Sequence, residues 1–381
     1  MRLLPTLFLI LLATAITHGQ TDSLSTQFPE PDSLSMADST LTQEEIFFRD
    51  SIAQLNQETQ IVKQAQEAYN RGIADFKNKK FAEAINHFGQ AISLKPDFTE
   101  AYFNRGCAIL VNGDPASAIQ DFDTVINKNP NHIEAFYNRA DAFTEVASYN
   151  KAIEDYTRLT ELQPLTHKPA YLMGEVYFLK GEYEKAITWL NKSLELKRDY
   201  ANAYNDIASS YRKLENYETA VQSQQKAISL DPDQAFLVNN LGSIYKRMNE
   251  TDKALEAYTK AIRIDPEYFL AFNNRGSIYL EREDFNTAID EFSKAIKINP
   301  KYPIAFNNRG IAYFKMKNFD KAMADFNMAI QLNPEYAAAY LNRGILKESM
   351  RDREGCCSDW QTASTLGITH AKKFLDVECA Q

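Results

Sequence analysis

The stretch AFNNRGSIYLEREDFNTAIDEFSKAIKINP, residues 271–300, is followed after a four-residue gap by a near-copy, AFNNRGIAYFKMKNFDKAMADFNMAIQLNP, residues 305–334. Both copies set an Asn-Asn-Arg-Gly run inside an amphipathic helical pattern, and both close on proline. Working outward, prolines fall at 96, 130, 164, 232, 266, 300 and 334, each 34 residues apart except for one interval of 68 that skips Arg198. Small residues keep the same period: Gly72, Gly106, Ala140, Gly174, Ala208, Gly242, Gly276, Gly310 and Gly344. So do Ala84, Ala118, Ala152, Ala186, Ala220, Ala254, Ala288 and Ala322, with Cys356 completing the column. Nine frames follow without an insertion: 65–98, 99–132, 133–166, 167–200, 201–234, 235–268, 269–302, 303–336 and 337–370.

Each frame reads as two helices split by a short polar turn. Gly or Ala in the first helix permits close approach to the second. Aromatics such as Phe88, Phe122, Tyr156, Tyr258, Phe292, Phe326 and Trp360 fill what space remains. Proline cannot continue a helix and forces the turn into the next pair. One pair cannot bury its own apolar face, so the pairs must stack. The expected fold is an all-α solenoid.

This pattern resembles the tetratricopeptide repeat (TPR) over residues 65–370. The resemblance implies a right-handed superhelix of antiparallel helix pairs, with the first helices lining a concave groove. That groove would take an extended peptide or a helix of a partner protein.

The Asn-Asn-Arg run separates into columns. Arginine stands at 71, 105, 139, 275, 309 and 343, and Met173, Ile207 and Leu241 replace it elsewhere, so the place is expected to be largely buried. Sixteen residues on are His87, Asp121, Asp155, Glu291, Asp325 and Asp359, whereas the frames without arginine carry Trp189, Ser223 and Ala257. Acid never appears in this column without arginine. The expected bridges are therefore Arg105–Asp121, Arg139–Asp155, Arg275–Glu291, Arg309–Asp325 and Arg343–Asp359, each within one helix pair.

The preceding column holds Asn70, Asn104, Asn138, Asn240, Asn274, Asn308 and Asn342, with Leu172 and Asp206 in the gaps. The family resemblance places this column on the groove, where an amide can meet a peptide group with both donor and acceptor. The alternative is that these amides bond only to a neighbouring helix. One position earlier the chain reads Tyr69, Phe103, Tyr137 and Tyr171, then Asn205, Asn239, Asn273 and Asn307, and last Leu341. Together with Glu100, Glu134, Asp141, Glu145 and Glu175 early, and Arg212, Lys213, Lys246 and Arg247 later, this suggests an acidic–aromatic zone followed by a basic–amide zone. Asn239, Asn273, Asn307, Arg212 and Lys246 accordingly join the candidate peptide-binding residues. Frames four and five lack the Arg–acid pair and place Leu190 and Gln224 in the aromatic column, which suggests a weak point near 198–225.

The chain opens MRLLPTLFLILLATAITHGQ. Arg2 precedes an apolar run, Leu3 to Leu12, and then Ala13-Thr14-Ala15 or Thr17-His18-Gly19 offers a cleavage point. This is the layout of a signal peptide at 1–19, and the run is shorter than the roughly 20 residues a spanning helix needs. Residues 20–41 are acidic and rich in Ser, Thr and Pro, a disordered polar leader. A helix over 42–64 follows, opened by the capping box Thr42-Gln43-Glu44-Glu45. The sequence therefore points to an exported, periplasmic or otherwise envelope-associated mature protein without an integral membrane segment.

The cysteines are 107, 356, 357 and 379. The tail resembles the closing segment of many exported bacterial TPR proteins, in which a cysteine of the last repeat and one near the C-terminus accompany a capping helix, here within 369–381. That resemblance implies a Cys357–Cys379 bridge, with Cys356–Cys379 and unpaired thiols as the alternatives.

The formal net charge of −9 argues against nonspecific nucleic-acid binding, which needs many cationic side chains to displace counterions. The five histidines lie at no metal-ligand spacing, and no phosphate loop or nucleophile motif stands outside the repeats. The expected function is a non-enzymatic protein or peptide scaffold, with no cofactor and no metal. A self-assembling structural or envelope-assembly role is the alternative, through the 42–64 helix docking in a neighbour's groove or forming a coiled coil.

Overall fold

The computed structural model describes residues 42–379, so the expected signal peptide and polar leader lie outside the described residues. The chain forms two compact units, the first ending at Glu182 and the second beginning at Tyr183. Unit 1 holds α1 (Gln43–Lys77), α2 (Phe81–Leu94), α3 (Thr99–Val111), α4 (Pro115–Lys128), α5 (Ile133–Glu145), α6 (Tyr149–Leu162) and α7 (His167–Lys180). Unit 2 opens with α8 (Tyr183–Leu196), α9 (Ala201–Lys213), α10 (Tyr217–Leu230), α11 (Ala235–Arg247), α12 (Thr251–Ile264) and α13 (Phe269–Glu281). It continues through α14 (Phe285–Ile298), α15 (Pro303–Lys315), α16 (Phe319–Leu332), α17 (Ala337–Ser349), α18 (Arg353–Thr365) and α19 (Ala371–Phe374). A π-helical turn, Leu375–Cys379, extends α19. No strand occurs among the described residues. Each unit is an α-solenoid in which every helix packs on its neighbours in the chain.

First helices of successive pairs also touch one another, α1 with α3 and α3 with α5 in unit 1, and α11, α13, α15 and α17 in turn in unit 2. They form the inner layer of each stack. The 34-residue rhythm is built from the helix ends. Asp284, Asn318, Asn216 and Asp114 cap second helices by accepting from the backbone N–H three residues on, which satisfies a donor that the helix itself leaves unbonded. At the other end, Asn129, Asp265, Asn299 and Asn333 each precede a proline and accept from the N–H just beyond it. The proline keeps the residue before it out of the helical region, and the side chain closes the turn.

Between the two helices of a pair one residue always has positive φ. It is Gly at 113 and 181, but Lys79, Ala147, Glu215, Asn249, Glu283, Lys317 and Arg351 hold φ between 55° and 63°. A side chain is disfavoured in this left-handed conformation. Replacing exposed Glu283 and Lys317 with Gly should stabilise the protein by about 0.5–1 kcal/mol each, read as a raised urea midpoint in equilibrium unfolding.

The core is the small-residue and aromatic columns facing each other. A Cβ added to Gly276 would lie 2.8 Å from Phe292 Cε1, and one on Gly310 2.8 Å from Phe326 Cε1, closer than packed carbons approach. A side chain at either glycine would force the facing ring to shift.

Two features depart from the sequence expectations, in α1 and in frame five. The 42–64 segment is not a separate helix: α1 runs unbroken for 35 residues into the first frame, because nothing from Gln43 to Lys77 interrupts it. The first pair, where His87 stands in the acid column, has no Arg–acid bridge, as the sequence leads one to expect: Arg71 is exposed and His87 Nδ1 meets Asp75 Oδ2 at 2.7 Å. Frame five is not simply depleted. Gln224 is buried in the aromatic column and donates through Nε2 to Asn205 Oδ1 and the Leu237 carbonyl.

At the C-terminus Trp360 stacks on Phe374 of α19, with ring centroids 5.0 Å apart. Cys357 and Cys379 form a disulfide with Cα atoms 5.9 Å apart. Cys356 is a buried free thiol.

Candidate docking surface

Each bridging arginine grips two helices. Arg309 donates through Nε and Nη2 to the two carboxylate oxygens of Asp325, both at 2.8 Å. Arg105 with Asp121, Arg139 with Asp155 and Arg343 with Asp359 share this fork. Arg275 reaches a single oxygen of Glu291. The remaining Nη1 points backward to the preceding pair's second helix, bonding Asp123 from Arg139, Thr259 from Arg275, Ser293 from Arg309 and Asn327 from Arg343. That second column, sixteen residues behind each arginine, is a component the sequence analysis missed. Its signal was the recurrence of short polar residues at 123, 259, 293 and 327. Arg139, Arg275, Arg309 and Arg343 thus join successive pairs as well as closing their own, whereas Arg105, with Gly89 sixteen residues behind it, bonds only Asp121. In unit 1, burial raises the Asp155 carboxyl above its ordinary value despite Arg139.

The asparagines form a ladder in unit 2. Asn240, Asn274, Asn308 and Asn342 each donate from Nδ2 to Oδ1 of Asn205, Asn239, Asn273 and Asn307 respectively, at 2.8–3.1 Å. The accepting residues are buried. Asn239, Asn273 and Asn307 therefore offer no surface to a partner, which corrects their placement among peptide-binding residues. The reason is register: that column faces forward onto the following pair, whose outer asparagine bonds to it, as Tyr69 accepts from Asn104 in unit 1. Phe103, Tyr137 and Tyr171 are likewise buried, so the expected aromatic zone is core.

The outer rungs are half-exposed, and each keeps part of its amide available. Among the described residues, Oδ1 of Asn240, Asn274 and Asn342 meets no protein donor, while that of Asn308 accepts a long 3.3 Å bond from Asn307. Phe236, Leu270 and Ile304 stand four residues before Asn240, Asn274 and Asn308 on the same helix face. All three are partly exposed. An apolar and amide stripe therefore repeats on α11, α13 and α15.

Unit 1 differs. Asn104 and Asn138 are buried, donating to the Tyr69 hydroxyl and to Cys107 Sγ, and only Asn70 is exposed, accepting from Gln66. These two are also corrected as surface residues. Asp141 is buried on α5, accepts from the Tyr156 hydroxyl, and has its pKa raised by burial to about 7. The basic residues are less available than their charge suggests. Lys246 Nζ is paired with Glu281 at 2.7 Å. Arg212 is half-buried, and burial with neighbouring Arg247 pushes its guanidinium below its ordinary value.

A period of 34, paired helices and interframe amide links define a helical-repeat protein. Tetratricopeptide repeat profiles match residues 133–164, 166–233, 199–267, 257–290 and 303–336, and a TPR repeat profile matches 72–113 and 276–317. The chain belongs to the tetratricopeptide repeat family. Its structure is similar to a tetratricopeptide repeat protein from Parabacteroides merdae, with TM-score 0.53 and 18% identity over 64% of this chain and 97% of that one. It is also similar to yeast Tom70, with TM-score 0.51 and 16% identity over 83% and 94% of the two chains. A chain of the APC/C hetero-tetramer Cut9–Hcn1 gives TM-score 0.53 and 15% identity over 83% and 76%. These likenesses describe the fold alone; it is membership of the tetratricopeptide repeat family that makes the chain a protein–protein interaction scaffold. No curated protein matches the sequence. Among the described residues there is no cluster of metal-ligating side chains, and no helix is long and apolar enough to cross a membrane.

Proposed function

We propose that the protein is an exported, non-enzymatic scaffold that holds an extended segment of a partner protein on the first-helix face of unit 2. The carrying observation is the stripe on α11, α13 and α15, where half-exposed Phe236, Leu270 and Ile304 alternate with Asn240, Asn274 and Asn308. The ladder fixes each amide by one N–H to the helix before it. That preorganises its outward oxygen for a peptide N–H, and little ordering entropy is left for binding to overcome. Backbone recognition by amides is tolerant of sequence, so the apolar column would choose the partner's side chains.

Export rests on the N-terminal sequence, and the Cys357–Cys379 disulfide is consistent with an oxidising compartment. The non-catalytic reading rests on how fully the polar columns serve the repeat itself.

Crosslinked capture from the native envelope tests the scaffold. Asn274→Ala with Asn308→Ala should reduce partner recovery at least about tenfold, as two lost backbone contacts of about 1 kcal/mol each would. Because these changes also unpair buried Asn239 and Asn273, Leu270→Glu with Ile304→Glu serves as a second variant that leaves the ladder intact. Undiminished capture by both variants would sink the proposal.

A further inference from the structure

The first 22 residues of α1, Gln43 to Gln64, stand clear of the repeats and leave a continuous apolar stripe uncovered. Phe48 is 68% exposed, Ile52 42%, Leu55 62% and Val62 49%. Nothing in unit 1 needs this extension. At 1.5 Å per residue it reaches about 33 Å beyond the first pair.

The spacing of the stripe distinguishes it from an ordinary amphipathic helix. Phe48, Ile52, Leu55, Thr59 and Val62 follow intervals of four, three, four and three residues. That is the 3.5-residue repeat of a coiled-coil seam, with Ile52 and Thr59 at a and Phe48, Leu55 and Val62 at d. Within the frames the apolar faces are broader because helices there are packed on several sides. A narrow seam suits a single companion helix.

The flanking charges select the companion. In this register Glu44, Ser51 and Glu58 occupy g, and Arg49, Asn56 and Lys63 occupy e. Two copies lying parallel and in register bring each g residue opposite the e residue five positions on in the other copy. The rungs are then Glu44 with Arg49, Ser51 with Asn56, and Glu58 with Lys63: two attractive pairs and one neutral. An antiparallel pair would instead set acids against acids and cations against cations. Within one chain Arg49 lies 3.5 Å from the adjacent Asp50. Glu45, at the a position that begins the seam, is held in the capping box by Thr42.

We propose that residues 44–63 of α1 pair with the same segment of a second copy of this chain as a parallel, in-register two-stranded coiled coil, making the scaffold bivalent. This surface is separate from the stripe of unit 2 and does not depend on its role. Three heptads with threonine in the seam would give a reversible dimer rather than an obligate one. Two copies bound to one multivalent partner would then gain avidity through effective concentration.

Sedimentation equilibrium of the full chain over a concentration series tests it. The expected result is a monomer–dimer equilibrium that Ile52→Asp with Leu55→Asp weakens at least about tenfold, while thermal unfolding of the repeats is unchanged. Parallel register is read from Phe48→Cys, which should form an intermolecular disulfide that Phe48→Cys with Ile52→Asp does not. A monomer at every concentration, a dimer indifferent to the Asp substitutions, or preferential Phe48→Cys crosslinking to a Val62→Cys copy would each overturn the proposal.

Discussion

Asp325→Ala should destabilise the protein by about 3 kcal/mol, and adding Arg309→Leu should return most of that loss. Arg309 is held in a fork by both oxygens of Asp325, and the side chains are only 20% and 7% exposed. Removing the carboxylate leaves a largely buried guanidinium whose one remaining side-chain hydrogen bond among the described residues is to Ser293. Charge burial without a partner is what makes the single substitution severe. The double variant copies what this chain already does in frame six, where Leu241 and Ala257 fill the two positions. Urea unfolding of the single and double variants at neutral pH measures both quantities. If the double variant were no more stable than Asp325→Ala, the bridge would contribute through its backward contact rather than its own pair.

Asp141→Asn should raise stability by about 2 kcal/mol at pH 8 and leave it unchanged below about pH 4. Burial is the main cause of the elevated pKa, about 7, with Glu145 adding to it, while the Tyr156 hydrogen bond and Lys168 act against it. Tyr137 and Glu175 complete the titratable surroundings, the first coupled to Asp141 directly and the second through Lys168 and Tyr156. The folded chain holds the Asp141 proton more tightly than the unfolded chain does. Stability therefore falls as pH rises from the ordinary carboxylate range, near 4, to about 7, and the penalty is complete above that. A rise of that size corresponds to on the order of 4 kcal/mol, of which the lost attraction to Lys168 removes a share in the variant. Asparagine keeps an acceptor for Tyr156. Thermal melts of both proteins from pH 4 to pH 8 check the sign: the curves should separate on the alkaline side and meet on the acid side.

The repeat and its bridges were legible because nine frames within one chain act as their own alignment. The offset of sixteen from arginine to acid could be read from frames that lack both. The arginine's second contact was hidden because its partners are chemically diverse: an aspartate, a threonine, a serine and an asparagine. The amide ladder was misread for another reason. Asn239 and Asn240 are adjacent in sequence but belong to different layers, one buried as an acceptor and one half-exposed as a donor. Helical spacing says which residues share a face, but not which face has a neighbour close enough to cover it. The continuity of α1 was missed because the frame boundary at 65 was read as a structural boundary, although no residue there can end a helix. The left-handed turn residue escaped notice because only two of its occupants are glycine.

The backward bonds of these arginines and of the outer asparagines have a consequence for how such a chain can lengthen. Frames seven and eight carry both connectors on their leading side and both sockets on their trailing side: Ser293 and Asn273 receive from Arg309 and Asn308, and Asn327 and Asn307 receive from Arg343 and Asn342. A duplicated 34-residue segment from this region would arrive with matching ends, so unequal exchange between copies can extend the protein without a compensating change elsewhere. Residues 271–300 and 305–334 agree at 14 of 30 positions without an insertion, a pattern that such a duplication followed by divergence would leave.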